Sequence, residues 1–172
     1  DPIPSRGLGD VYKRQVLLNA GDHLLAFAEN RNVSSCAPSI SANEIGSLQL
    51  RRSADNGATW TAMQQVWRGN IDFYTAVHDD MAGTTILMLQ EGASTNVFNS
   101  TDFGASWSAP TRLSVPLPPG VTSIKPAVGH GVQLQPDLCA SPCREAGRLV
   151  LPFVCQNASG CGDRGGSSCA AC

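Results

Sequence analysis

The chain has 172 residues, of which 12 are Lys or Arg and 14 are Asp or Glu, so its formal net charge is −2 and its mean hydropathy is −0.09. This mildly acidic balance provides no basic patch for a nucleic acid backbone, so we expect no nucleic acid partner. No apolar run approaches the length of a membrane-spanning helix, and we expect no spanning segment within this sequence.

The first fifteen residues are predicted to be foreign to the biological protein. The string SRGLGDVYKRQ at positions 5–15 resembles the translation of a transposase-inserted sequencing adapter. We therefore leave residues 1–15 out of fold reasoning and expect the native chain to begin near Val16.

Short apolar stretches open the native part of the chain. Val16–Leu18 and Leu24–Ala28 are separated by the Gly-containing sequence NAGDH, a pattern that predicts two strands around a turn. A polar loop without periodicity covers 32–43, and Ile45–Arg52 is predicted to form a third strand.

The third strand leads into an eight-residue motif that occurs twice. Ser53–Trp60 reads SADNGATW and Ser100–Trp107 reads STDFGASW, and both match S-x-D-x-G-x-(S/T)-W, the Asp-box. The two copies lie 47 positions apart, a period typical of propellers and repeat arrays. The repeat therefore predicts a β-propeller with one blade for each copy.

Each shared position of the Asp-box has a local physical role. The carboxylate is expected to accept backbone N–H bonds and close a turn, and the glycine is expected to adopt a positive φ. The tryptophan is expected to return the chain to packed structure and to bury a large apolar area. We assign this structural, non-catalytic role to Ser53, Asp55, Gly57, Trp60, Ser100, Asp102, Gly104 and Trp107.

The second unit repeats this plan. Thr84–Leu89 is predicted to be an apolar strand after the turn at 79–83, and Asn96–Asn99 leads into the second Asp-box. The stretch from Pro110 to Pro126 contains too many prolines for a central strand or a helix. Residues 129–134 and 147–154 are expected to form a hairpin of a third blade around an insertion.

These elements define the expected fold. The chain is predicted to be all-β, with no amphipathic helix, and to form two to three blades of a propeller over residues 16–172. A cysteine-rich insertion is expected at about 136–172.

Seven cysteines bear on the compartment, and six of them lie near the C-terminus of this sequence. Two interpretations compete: disulfides that staple an irregular insertion, or a zinc site built on the C-x-x-C pair at 169–172 with the pair at 139 and 143. We favour disulfides and expect no metal. The six are Cys139, Cys143, Cys155, Cys161, Cys169 and Cys172, while Cys36 stands alone.

Three N-x-S/T sequons add to this argument, at Asn32, Asn99 and Asn157. Together with the cysteines they favour an oxidising compartment, which would make the protein secreted, cell-surface or lysosomal.

Four stretches of the sequence resemble the sialidase (neuraminidase) family. The segment LLAFAENR at 24–31 and the segment LRRSADNG at 50–57 are similar to a family segment LLAFAE-x-R that is followed by a strand and an Asp-box. Further along, VGHGVQL at 128–134 and GRLVLP at 147–152 are similar to the family's GHG-x-QL and GRLVVP. The resemblance covers 16 to about 154.

This resemblance implies a six-bladed propeller that removes terminal sialic acid from glycoconjugates without a cofactor. Such sites bind the substrate carboxylate through three arginines, and the resemblance implies that Arg31 is one of these substrate-binding residues. The family nucleophile is a tyrosine activated by a glutamate, and a loop aspartate acts as acid and base.

The sequence departs from the family pattern at several positions. The expected Tyr-Arg-Ile-Pro segment falls where the adapter-like string lies, and the stretch 32–43 has no acidic residue, with Cys36 where some members have the aspartate. Glu44 is the nearest carboxylate and is the candidate catalytic substitute. The remaining arginines, the glutamate and the tyrosine are expected beyond Cys172, while Tyr74 is expected to be core.

Other basic side chains have structural interpretations. Arg51 and Arg52 are expected on the surface of a blade, and His130, between two glycines, is expected to be a packed or turn histidine. His23 and His78 fall in predicted turns. Because the histidines occupy different segments, they are not expected to form a metal site.

The sequence is therefore interpreted as an inactive N-terminal fragment of an exo-sialidase-like glycoside hydrolase whose partner is a sialylated glycoconjugate. A second interpretation is a non-catalytic Asp-box propeller that binds glycan or protein ligands, which the missing loop aspartate favours. A third, an Asp-box glycosidase of other polysaccharides, is disfavoured by the Arg31 segment.

Overall fold

The structure is a computed structural model that describes residues 11–31, 46–117, 119–135 and 146–157. For 11–14, 31, 156 and 157 it describes the backbone. Thirteen strands and no helix occur in these ranges, as the sequence predicts. The strands are β1 Val11–Ala20, β2 His23–Arg31, β3 Gly46–Ser53, β4 Gln64–Gly69, β5 Phe73–Asp79, β6 Thr84–Glu91, β7 Ser94–Ser100, β8 Thr111–Arg112, β9 Val121–Pro126, β10 Gly129–His130, β11 Val132–Gln133, β12 Leu149–Val150 and β13 Phe153–Asn157.

The first four strands form a sheet that we call blade 1. Each strand pairs antiparallel with the next in the order β1-β2-β3-β4, which is a meander built from local hairpins. Side chains alternate between the two faces along β2, so that Leu25 and Phe27 are buried on one face while Ala26 and Ala28 lie on the other. The first Asp-box connects β3 to β4.

Blade 2 repeats this arrangement. Strands β5, β6, β7 and β8 form an antiparallel meander, and the second Asp-box connects β7 to β8. The short strand β10 extends this sheet by pairing parallel with β5, and Thr75 Oγ1 donates a hydrogen bond to the Gly129 carbonyl at 2.9 Å. The two Asp-boxes therefore occupy equivalent corners of successive sheets.

The main hydrophobic core lies between the two blades. Blade 1 contributes a buried apolar face that includes Phe27, Leu48 and Leu50, and blade 2 contributes one that includes Leu87 and Leu89. An edge-to-face aromatic pair crosses the interface between the blades: Trp67 of β4 contacts Phe98 of β7, with ring centroids 5.4 Å apart.

A third unit is smaller than expected. The predicted hairpin of 129–134 with 147–154 is confirmed where β11 pairs antiparallel with β12, but β10 and β13 pair with strands outside the hairpin. β10 joins blade 2, β11 pairs with β12 over two residues, and β13 pairs with β9. The proline-rich stretch thus holds a strand, which ends at Pro126 and lies in a two-stranded sheet where the missing N–H is tolerated.

The first strand begins earlier than predicted. β1 extends from Val11, so four residues of the adapter-like string pair with β2, and a register shift leaves out Arg14 between Lys13 and Gln15. Ladder hydrogen bonds use backbone groups that every residue except proline carries, so a foreign segment can occupy a strand position. That residues 1–15 are foreign stays a prediction.

Candidate functional site

The registers of the two blades define two ends of the molecule. The turn between β1 and β2, the turn at 80–83 and both Asp-boxes lie at one end, which we call the Asp-box end. The opposite end, which we call the Arg31 end, holds the last residue of β2 and the turn between β6 and β7.

Arg31 is the last residue of β2, and its backbone pairs with Gly46 and Val11. Its side chain lies outside the described part of the structure. Glu44, the candidate acid and base, and Asn32, the first sequon, both lie in 32–45, outside the described residues.

Two residues before Arg31, the Glu29 side chain is fully buried. It lies on the same face of β2 as Leu25 and Phe27, and it takes part in an electrostatic or hydrogen-bonding interaction, as a buried carboxylate requires. The sequence interpretation missed this residue. Period-two alternation from Leu25 through Phe27 would have placed Glu29 inward and marked it as a buried charge.

Blade 2 also buries a polar side chain at the equivalent position of its second strand. Gln90 is 4 % exposed, and its Nε2 donates to the Gly92 carbonyl at 2.8 Å. Within the described ranges, Gln90 Oε1 has no hydrogen-bond partner. Tyr74, at the same end of β5, is fully buried, which confirms it as core. The Arg31 end of the molecule therefore buries two polar side chains, Glu29 and Gln90, which take no part in the Asp-box turns.

The second Asp-box is held by its own side chains. Ser100 Oγ donates to Asp102 Oδ1 at 2.8 Å and accepts the Gly104 N–H at 2.7 Å. Asp102 then accepts the Ser106 N–H at 2.8 Å on Oδ1 and the Ser106 hydroxyl at 2.6 Å on Oδ2. One serine and one aspartate thus satisfy two backbone donors of the turn.

The first Asp-box repeats the same bonds. Ser53 Oγ donates to Asp55 Oδ1 at 2.7 Å and accepts the Gly57 N–H at 2.8 Å. Asp55 accepts the backbone N–H of Thr59 at 2.8 Å and its hydroxyl at 2.6 Å.

Hydrogen bonds to the ionised carboxylates control their acidity. The hydroxyl of Thr59 is the largest cause that lowers the pKa of Asp55 to about 2, and the hydroxyl of Ser106 does the same for Asp102, whose pKa is also about 2. A general acid near neutral pH needs a raised pKa, so both aspartates suit a turn and not proton transfer.

The conformation of each Asp-box includes a residue that the sequence interpretation missed. Gly57 and Gly104 have φ of 88° and 81°, but Asn56 and Phe103 just before them also have positive φ, of 54° and 53°. Asparagine tolerates this region well, whereas phenylalanine does so only where its surroundings hold it.

The two tryptophans differ in burial. Trp107 is partly buried and contacts Phe27 of blade 1 in a T-shaped pair with centroids 6.0 Å apart. The expectation that Trp60 is packed in the same way is wrong, because this residue is 37 % exposed. Its indole Nε1 donates to the Gly57 carbonyl at 3.0 Å, so it closes its own turn without reaching a second blade.

The histidines do not converge on the Arg31 end. His23 stacks on Phe103 with centroids 4.2 Å apart, and His78 lies 5.9 Å from the same ring. His78 belongs to β5 and is buried, so the prediction that it lies in a turn is wrong. Burial lowers the pKa of His78, against the opposing charges of Asp80 and Asp79. His130 is exposed in β10.

The structure also bears on the predictions about cysteines, glycosylation sequons, metal ligands and membrane-spanning helices. Cys155 is disulfide-bonded and buried, while the remaining cysteines lie outside the described residues. Asn99 is exposed near the end of β7, and the backbone of Asn157 ends β13. In the described ranges, no three His, Cys, Asp or Glu side chains group closely enough to hold a metal ion. No helix capable of crossing a membrane occurs among the residues that the structure describes.

Comparisons with known proteins show which class of protein this fold is similar to. No family model matches the sequence. Among solved structures, the fold is similar to Trypanosoma rangeli sialidase, with a TM-score of 0.61 at 14% identity over 87% of this chain. It is also similar to that organism's sialidase in complex with sialic acid, with a TM-score of 0.58 at 15% identity over 86% of this chain.

The fold and the repeated turns thus define a partial Asp-box propeller. The particular fold is sialidase-like, as the sequence resemblance predicts. The chain spans 27% of the length of each of these two Trypanosoma rangeli structures.

Proposed function

We propose that this chain is part of an exo-α-sialidase, a glycoside hydrolase that removes terminal sialic acid from glycoproteins, glycolipids or oligosaccharides. The sialidase-like fold supports this proposal, and so does the sialic acid bound by one of the Trypanosoma rangeli proteins. The observation that carries it is that the backbone of Arg31 ends β2 opposite the Asp-box turns, where a strand end can project a side chain toward a ligand.

The proposed chemistry follows from the substrate. Sialic acid carries a carboxylate on its anomeric carbon, and the planar guanidinium of Arg31 would bind that group through two parallel N–H bonds. A carboxylate nucleophile would be repelled by the same anion, whereas a tyrosine activated by a glutamate would not. Glu44 is the candidate to protonate the leaving group.

The 172-residue chain alone is proposed to be inactive. The second and third arginines, the nucleophilic tyrosine and its glutamate would come from the rest of the parent protein. Catalytic groups that act as a unit lose nearly all activity when one member is missing.

Kinetics of the parent protein on a fluorogenic sialoside test the role of Arg31. We expect Arg31→Ala to lower kcat/KM by roughly 10- to 150-fold, because a hydrogen bond to a charged group contributes about 1.5–3 kcal/mol. Arg31→Lys is expected to recover only part of this loss, since lysine binds as a point charge. The matched control is Arg68→Ala, an exposed arginine of β4. Unchanged turnover in Arg31→Ala would remove this residue from the proposed site.

A covalent probe separates the enzyme from a binding protein. One matched Trypanosoma rangeli structure holds 2,3-difluorosialic acid as a covalent intermediate. In an active parent protein the tyrosine oxygen would bond to C2 of the sugar as the C2 fluoride leaves, so the tyrosine is expected to gain the mass of the sugar less one HF. A non-catalytic propeller would bind the sugar without a covalent adduct.

The alternative, a non-catalytic Asp-box propeller for glycan or protein ligands, is favoured by one observation. No acidic residue occurs at 32–43, where the family acid and base is expected. If the parent protein binds sialic acid but shows no turnover of the fluorogenic sialoside and no adduct forms, the binding role is preferred.

We also propose an oxidising compartment, so that the protein is secreted, cell-surface or lysosomal. The disulfide at Cys155 and the exposed side chain of the Asn99 sequon support this proposal. A downward gel shift after glycosidase treatment, smaller in Asn99→Gln, would support it. Free thiols at every cysteine of the native protein would contradict it.

A further inference from the structure

A groove of about 510 Å³ lies beside blade 2 at the Arg31 end of the molecule. Its walls come from the turn between β6 and β7, from β7 and β8, from the segment 113–117 and from β9. Sites that hold small ligands in proteins have volumes of this order. The groove is therefore large enough for a ligand of the size of one sugar.

Thr95 lines the groove with a hydroxyl that no described residue binds. The residue is 9% exposed, and within the described ranges its Oγ1 makes no hydrogen bond. Its backbone is held in place, because the Thr95 carbonyl accepts the N–H of Leu113 at 2.8 Å. A buried hydroxyl without a partner costs free energy, so this position favours a ligand that can pair with it.

The residue opposite Thr95 on β6 also has an unused polar atom. Gln90 pairs with Thr95 across the two strands, so both side chains lie on the same face of blade 2. Gln90 Oε1 is buried and lacks a hydrogen-bond partner in the described part of the chain. Folded proteins pair nearly all buried polar groups, so two unused groups in one row favour a bound molecule at this face.

The charge in the groove is positive. Among the described residues that line it, Arg112 is the one charged side chain. Arg112 is exposed, and its guanidinium has no ion pair within the described ranges. The chain as a whole carries a net charge of −2, so a wall with a cation and without a carboxylate selects an anion locally. A guanidinium binds a carboxylate through two parallel N–H bonds.

The other walls match a sugar ring. Hydroxyls come from Ser114, Thr122 and Ser123, and apolar surface comes from Leu117 and Ile124. Each protein hydroxyl can donate and accept, as the hydroxyls of a sugar do, while apolar side chains can cover the C–H faces of the ring. A sugar that carries a carboxylate would therefore contact the cation, the hydroxyls and the apolar wall together.

We propose that this groove binds an acidic sugar at a site separate from the one proposed around Arg31. Arg112 would bind the carboxylate, and Thr95 and Ser114 would pair with hydroxyls of the ring. The groove needs no catalytic residue, so the proposal is independent of hydrolysis. Only the choice of sialic acid as the first probe rests on the proposed function.

Titration of the parent protein with free sialic acid, followed by ligand-observed NMR, tests this site. Every protein in the series carries Arg31→Ala, which weakens binding at the other site. In this background Arg112→Ala is expected to raise the Kd at least about tenfold, because a hydrogen bond to a charged group is lost. The matched control Arg68→Ala removes an exposed arginine of β4 and should leave the Kd unchanged. The methyl ester of sialic acid, which lacks the charge, should bind about as weakly as sialic acid does to the Arg112 variant.

Thr95→Val separates ligand binding from folding. Valine has nearly the shape of threonine and removes a hydroxyl that no described residue binds, so the free energy of unfolding should not fall. The Kd for sialic acid should rise about 2- to 12-fold, the effect of one neutral hydrogen bond. Thr95→Ser keeps the hydroxyl and should retain most of the binding. A loss of stability with an unchanged Kd would show that the hydroxyl serves the fold and not a ligand.

Other outcomes would overturn the proposal. Equal Kd values for Arg112→Ala and Arg68→Ala would place the anion elsewhere. Binding by the 172-residue chain but not by the parent would show that the rest of the parent fills the groove. If sialic acid and glucuronic acid both fail while a glutamate-rich peptide binds through Arg112, the groove is a peptide site.

The same titrations separate this site from the proposed activity. A catalytically inactive parent that still binds sialic acid through Arg112 would keep the groove and remove only the hydrolysis. Binding of glucuronic acid through Arg112, without binding of sialic acid, would keep the acidic-sugar site and count against the sialidase.

Discussion

The hydroxyl of Ser100 joins the two ends of the second Asp-box turn. Ser100 is buried, and its oxygen accepts the N–H of Gly104, which is itself buried, while its hydrogen points to Asp102. Backbone donors away from water must be paired, so this small side chain satisfies a group that solvent does not reach.

Ser100→Ala is therefore expected to lower the free energy of unfolding by about 1–3 kcal/mol, the cost of leaving a buried donor unsatisfied. Ser53→Ala, at the same position of the first motif, is expected to cost less, because Gly57 is partly exposed and water can replace the serine. Urea unfolding of both variants of the 172-residue chain measures the difference. Equal losses would show that burial of the glycine N–H does not matter.

Acid stability should report on the same turns. Hydrogen bonds lower the pKa of both Asp55 and Asp102 from 3.8 to about 2 in the folded chain. Because the folded pKa is depressed, the stabilising contribution is complete above the unfolded value, near pH 4, and is lost as the pH falls toward about 2. The urea midpoint of the native sequence should therefore decline below pH 4.

A double variant isolates this contribution. In Asp55→Asn with Asp102→Asn neither position can titrate, so the decline below pH 4 should be shallower than in the native sequence. Parallel curves for the two proteins would assign acid sensitivity to other carboxylates.

At the scale of the element, the glycine of each Asp-box tests how a turn packs against its neighbour. A Cβ on Gly104 would lie 2.7 Å from Leu50 Cδ2, and Leu50 is a buried core residue of blade 1. A Cβ on Gly57 would meet Leu24 Cδ1 at 3.6 Å, an ordinary contact. Both glycines have positive φ, so the backbone cost of alanine is shared.

Gly57→Ala is expected to cost about 1–2 kcal/mol from its left-handed backbone alone. Gly104→Ala should cost about 1–3 kcal/mol more, because the added methyl overpacks the inter-blade core. Equilibrium unfolding in urea, monitored by circular dichroism, compares the two. Equal costs would mean that Leu50 moves aside without penalty.

Elements with local pairing could be predicted from the sequence, and elements with distant partners could not. The alternation in β2 and the apolar run in β6 place both strands correctly, because hairpin neighbours lie close in sequence. The pairing of β9 with β13 and the parallel addition of β10 to β5 join segments separated by intervening chain. No local pattern specifies such partners, so the sequence predicts only the β11–β12 hairpin of the third unit and not the partners of β9, β10 and β13.

The candidate site was less predictable than the fold. Arg31 could be named from a segment that resembles a family, but Glu29 was passed over, although alternation along β2 points it inward. Full burial of a charged side chain depends on tertiary packing, which the sequence of a single strand does not specify. Charged residues are rarely fully buried, so the residue type alone predicts that Glu29 is exposed, whereas the structure buries it.

At the scale of the whole molecule, the two copies of the Asp-box differ in how their tryptophans are packed. Trp107 lies in an interface between blades and Trp60 lies on an open face, although the serine and aspartate of both turns make the same hydrogen bonds. Propeller blades gain much of their stability from nearest neighbours, so identical motifs contribute differently when only one of them lies at an interface between blades.

Alanine replacement of each tryptophan measures this asymmetry. In the 172-residue chain, Trp107→Ala should cost about 2–4 kcal/mol, toward the low end of buried aromatic truncations because the ring is only partly buried. Trp60→Ala should cost about 1 kcal/mol, since its loss removes one hydrogen bond and a half-exposed ring. In the parent protein the two costs should become similar, because a further blade would bury Trp60. Urea unfolding of both variants in both proteins gives the comparison, and a persistent gap in the parent would mean that no blade packs on Trp60.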